Sequence, residues 1–152
     1  MQRIESARDR LVRLIEMACS AEAEGGGAGL GIEEYLLWLD LWARAPRDPD
    51  VAARREALDR RWRTALADVV RDGCGRGEFA QVDPDDFALR FAAMMDGLAI
   101  QAVLRDPHVT IRRMRDLLLR TAALELGFDP PAPAHGPKGR LRTRRARAIP
   151  AS

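Results

Sequence analysis

Near the middle of this chain lies a stretch that is apolar on two sides at helical spacing. From Asp83 to Leu104, the only charges after the first turn are Arg90 and Asp96. One face carries Phe87, Phe91, Met94, Leu98 and Ala102, and the far side carries Leu89, Ala93, Ile100, Val103 and Leu104. The stretch from about Thr110 to Leu126 behaves alike, with Ile111, Leu118 and Ala122 on one side and Met114, Leu117, Thr121 and Leu124 on another. A chain of 152 residues folds as one domain of ordinary size. Its core is too small to cover both faces of two helices, so the second faces predict a partner. A second copy packed about a two-fold axis would make a four-helix interface.

The rest of the pattern is helical too. Ala, Leu, Arg and Glu dominate while β-branched and aromatic residues are scarce, which disfavours sheets. A first amphipathic helix is predicted over about residues 2–23, with Ile4, Ala7, Leu11, Leu14, Ile15 and Ala18 in one stripe. Five glycines within residues 25–31 make a loop before a second helix, about Ile32–Ala45. Asp48-Pro49-Asp50 and Asp83-Pro84-Asp85 each read as an acidic N-cap with proline at the first helical position. The third helix ends near the Gly73–Gly77 cluster, and Gly127 stops the fifth. The expected fold is all-α, an orthogonal or antiparallel five-helix bundle over residues 1–128 whose last two helices form the dimer interface.

Charge is unevenly placed. Residues 129–152 carry Lys138, Arg140, Arg142, Arg144, Arg145 and Arg147 against Asp129 alone, so the net charge of +2 comes from this Pro- and Arg-rich tail. The tail reads as disordered, with weak, non-specific phosphate contact as the alternative. The body, net acidic, gives no electrostatic argument for nucleic acid. Apolar residues at 47% and charged at 32% exclude a disordered chain, and no apolar run is long enough to span a membrane. Cys19 and Cys74 form no disulfide framework or metal spacing and suit a reducing cytoplasm. His108 and His135 lack a nucleophile or metal partner at informative spacing, so no catalytic residue, metal or cofactor is expected.

Two features invite a functional reading. The second helix is apolar around most of its circumference, with Tyr35, Trp38 and Trp42 clustered opposite a narrow polar edge, which places it inside the bundle. With Trp62 on the next helix, these aromatics either fill the core or line a cavity. Asp96 is the one carboxylate within an apolar stretch. It either pairs with an arginine or with backbone donors across an interface, or it titrates anomalously and binds a cation.

The succession of motifs is more telling than any one of them. Leu39-Asp40-Leu41-Trp42-Ala43-Arg44-Ala45 is followed by Arg47-Asp48-Pro49 and a helix centred on Trp62. Then come Gly77-Glu78-Phe79, Val82-Asp83-Pro84, Met95-Asp96-Gly97-Leu98-Ala99-Ile100-Gln101, Asp106-Pro107 and Glu125-Leu126-Gly127. Over about residues 32–128, and more loosely over 2–23, this resembles the C-terminal ligand-binding and dimerisation domain of TetR-family transcriptional regulators, the BetI-like branch in particular. The resemblance implies a homodimer that senses a small, mostly apolar effector and carries no enzyme activity. It points to Trp38, Trp42, Trp62, Leu66, Phe91 and Met94 as cavity residues. It points to Leu89, Ile100, Val103, Leu104, Met114, Leu117 and Thr121 as dimer residues. The helix-turn-helix that precedes such domains is absent, so the expectation is that DNA is read only through that missing domain, or weakly through the tail. The other reading kept open is a dimeric helical interaction module with no ligand.

Overall fold

A computed structural model describes residues 5–19 and 32–131, of residues 32–34 the backbone only. The fold is all-α: α1 (Ala7–Ala18), α2 (Ile32–Arg44), a 3-10 turn (Ala45–Arg47), α3 (Pro49–Gly75), α4 (Pro84–Val103) and α5 (Ile111–Leu126). The glycine-rich loop 25–31, the outer ends of the predicted first helix, and the tail beyond residue 131 lie outside the described residues. Among the described residues, no helix is long and apolar enough to cross a membrane.

Local chemistry sets the helix ends. Asp48 and Asp83 are the N-caps of α3 and α4, each accepting two backbone N–H bonds, with proline following as the first helical residue. At the other end of α5, Gly127 takes the left-handed conformation that closes a helix and sends its N–H to the Ala123 carbonyl. The first helix starts later than its apolar stripe suggests. Ser6 is extended and its hydroxyl accepts from the Asp9 N–H, so the helix begins at Ala7.

The 27-residue helix α3 is the hub, packing against α1, α2 and α4, while α5 lies against α4 and α1. The core gathers Leu11 and Ile15 from α1, Leu66 and Val70 from α3, Phe87 and Phe91 from α4, and Met114, Leu118 and Leu126 from α5. Phe87 and Phe91 stack with ring centroids 5.1 Å apart. Polar contacts then fix α1 at its start. A Glu78 carboxylate oxygen accepts the Ala7 N–H at 2.7 Å, and Arg10 donates to Asp72 at 2.6 Å. Near the other end of α1, Arg115 of α5 pairs with Glu16 at 2.6 Å, and the Tyr35 hydroxyl donates to the Ala18 carbonyl.

One expectation about the fold is corrected here. Helix α2 is not inside the bundle: no described side chain on it is fully buried, and Leu36 and Leu37 are exposed. Its aromatic side lies against an open space rather than against packed side chains, and that space is the candidate site.

Candidate ligand-binding site

The end of the bundle formed by α1's last turns, α2, the first half of α3 and α4 encloses a cavity of about 630 Å³. This is within the range of roughly 300–1,000 Å³ typical of small-molecule sites. Each wall follows from helical spacing. From α1 come Leu14, Met17 and Ala18, and from α2 come Tyr35, Trp38, Leu39 and Trp42. Helix α3 contributes Arg55, Leu58, Asp59, Trp62 and Arg63 among others, and α4 contributes Leu89, Ala92, Ala93, Asp96, Ala99, Ile100 and Val103. No α5 residue is among the lining. The small residues Ala92, Ala93 and Ala99 keep the α4 wall recessed and leave the space to the aromatic rings opposite.

The cavity is apolar with a charged strip. Arg55 and Asp59, one helical turn apart, pair at 2.8 Å. Asp96, half-buried on α4, forms no hydrogen bond or ion pair among the described residues. Burial holds its carboxyl up at about 6, and the Asp59 charge adds to that, while Arg55 and Arg63 pull the other way. Within this chain, no arginine or backbone donor among the described residues pairs with Asp96. Burial also raises the Tyr35 hydroxyl, which stays neutral and tied to Ala18, and pushes the Cys19 thiol up to about 12, which makes it inert. The indole Nε1 of Trp42 is buried without a hydrogen-bond partner among the described residues.

Of the six residues read as cavity candidates, Trp38, Trp42 and Trp62 are in the lining. Leu66 and Phe91 are not: both are buried in the core, Leu66 where α1 and α4 close on α3, and Phe91 stacked on Phe87. Met94 packs on the core from outside the cavity. The residues read as dimer contacts divide similarly. Leu89, Ile100 and Val103 face the cavity, and Met114 is fully buried within its own chain, with no surface left for a partner. Leu104 is exposed, and Leu117 and Thr121 are partly so. The far side of α4 is therefore mostly cavity wall.

The sequence reading missed Arg55, Asp59 and Arg63. A signal was there, because Arg55 and Asp59 sit seven and three residues before Trp62, on the same side of the helix. Leu14, Met17 and Tyr35 complete the site from elements whose approach depends on the tertiary fold.

An all-α domain with a large aromatic-walled cavity belongs by architecture with the helical domains that receive small molecules, not with filled bundles. Residues 7–127 match the family described as BetI-type transcriptional repressor, C-terminal, and the chain belongs to that family, the C-terminal regulatory domain of TetR-type regulators. A crystal structure from Saccharomonospora viridis, of a protein assigned as a transcriptional regulator and solved in complex with choline, is similar to this chain, with 29% identity and a TM-score of 0.71. The match covers 81% of this chain and 61% of that one, so the chain spans about three-fifths of that protein's length. No curated protein matches the chain at a significant level.

Proposed function

We propose that this chain is the effector-sensing and dimerisation domain of a TetR-type regulator, and that its effector carries a quaternary ammonium head held in the cavity. The observation that carries the reading is Asp96, a carboxylate unpaired among the described residues, in a cavity also lined by Trp38, Trp42 and Trp62. A quaternary ammonium has no N–H to donate, so it is recognised by aromatic faces and a nearby negative charge. Tryptophan is the best such face, and the attraction strengthens when water is excluded. The choline complex of the S. viridis protein supports the same chemistry. A bundle filled by its own tryptophans, with no ligand, would leave no space of this size.

The dimer rests on the outer face of α5, where Leu117, Thr121 and Leu124 follow one another at helical spacing and Leu124 is 86% exposed. In an intact regulator, ligand would shift the population between dimer geometries, with a coupling of about 1–3 kcal/mol. Helix α1 is the natural carrier, with its last turns in the cavity wall and its start clamped by Glu78.

Titration of tryptophan fluorescence with choline, and with tetramethylammonium as the bare head, tests the proposal. Saturable quenching or shift by both, weakened about tenfold or more in Asp96→Asn, is the expected result. A flat signal with no heat of binding would sink it.

A further inference from the structure

Helix α2 is held unlike the other four. Each of those anchors in the core through side chains with no exposed surface: Leu11 and Ile15 on α1, Leu66 and Val70 on α3, Phe87 on α4, Met114 and Leu118 on α5. Among the described residues of α2 no side chain is buried to that degree, and Leu36 and Leu37 are exposed. Its Trp38, Leu39 and Trp42 line the cavity, so in the empty protein they lack the packed neighbours that hold a helix in place. Docking also leaves the Trp42 indole N–H buried without a partner among the described residues, and a buried unmet donor works against the docked position. At one end, α2 runs through the 3-10 turn into Asp48, whose backbone is extended and whose side chain caps α3 without help from α2. Towards the other, the Tyr35 ring packs on the edge of the core, and its hydroxyl donates to the Ala18 carbonyl in the last turn of α1.

From these contacts we propose that α2 is the gate of the cavity: it swings on the 3-10 turn at Ala45–Arg47 to admit an effector, and Tyr35 is the latch that closes it onto α1. The four core helices stay packed while it opens, because their buried side chains meet one another rather than α2. A molecule in the cavity supplies the packing that the aromatic side of α2 lacks, so it binds the closed arrangement better than the open one and shifts the population towards it. Through the Tyr35 hydroxyl, closure is felt at the end of α1. The inference rests on the reading of the cavity as a ligand site and is independent of the ammonium head.

Native-state hydrogen exchange of the full chain tests the gate without any ligand. Amides of α2 are expected to exchange about tenfold or more faster than those around Leu11, Val70 and Leu118. Tyr35→Phe keeps the ring and removes the hydroxyl. It should speed α2 by a further factor of roughly three to ten and leave α3, α4 and α5 unchanged. Choline at saturation should slow α2 more than the facing wall of α4, and stopped-flow tryptophan fluorescence should show it entering and leaving faster in Tyr35→Phe. An α2 that exchanges in step with the core helices would overturn the gate. So would a Tyr35→Phe that leaves α2 unmoved or speeds all helices alike, or choline that binds and protects every wall equally. If choline does not bind, the ammonium reading falls, and the exchange of the empty protein with its response to Tyr35→Phe still decides the gate.

Discussion

Asp96 carries a cost in the empty protein that its replacement should reveal. In the folded chain its carboxyl holds a proton up to about pH 6, against an ordinary value of 3.8, chiefly because burial disfavours the charge. The folded state therefore binds more protons than the unfolded state between those two values. Stability falls as pH rises through that window and stays reduced above it. A separation of about two pH units corresponds to roughly 3 kcal/mol at about 1.4 kcal/mol each, and solvent reaching the cavity lowers the effective figure to about 1–3 kcal/mol. Asp96→Asn keeps the shape and removes the charge. It should melt about 3–8 °C higher than the parent at pH 8, and close to the parent at pH 4, where both carry a neutral group. The groups bearing on Asp96 are Asp59, Arg55 and Arg63 on α3, with Tyr35 on α2 also close enough to feel its charge, and the substitution leaves all four in place. Thermal melts of the two proteins without ligand at the two pH values decide the matter. Equal stability at pH 8, or the same gain at both values, would refute the argument. The same variant should bind ammonium ligands more weakly, so stability and binding would move in opposite directions.

Other expectations follow from packing and polar contacts. Gly73 sits under the Phe79 ring, where an added Cβ would lie 2.2 Å from a ring carbon, and Phe79 is itself buried against Phe128. Gly73→Ala should cost about 1–3 kcal/mol in a denaturant melt, and a neutral result would show that the ring can move aside. Glu78→Ala removes the acceptor for the Ala7 N–H and the partner of Arg76, and should cost about 1–2 kcal/mol. Hydrogen exchange should then show faster opening of the start of α1, and unchanged protection there would dismiss the clamp. Leu117→Glu and Leu124→Glu, on the outer face of α5, should turn a dimer into monomers by light scattering. A dimer that survives both substitutions would move the interface elsewhere.

Much of the fold was legible in the residues. The Asp-Pro pairs at 48–49 and 83–84 and the glycine at 127 state helix ends through local chemistry, and the structure has those ends there. The start of α1 was less so, because Ser6 competes with a stripe that continues past it on both sides. The site was half legible. Two tryptophans at helical spacing and a third on the next helix can be found in a sequence, but whether their rings fill a core or face a space depends on the width left by Ala92, Ala93 and Ala99 on another helix. The two-sided character of α4 was real, and part of its second face lines the cavity while Leu89 and Leu104 keep exposed surface. Periodicity says that a face is apolar, and only the tertiary arrangement says what it meets. Leu66 and Phe91 illustrate the same limit, since one turn along a helix separates a cavity wall from a packed core.

The most direct measurement is a crystal structure of this chain grown with saturating choline. The account predicts a trimethylammonium group within the cavity, against Trp38, Trp42 or Trp62 and close to the Asp96 carboxylate. A cavity without ligand at saturation, or choline bound elsewhere on the chain, would contradict it.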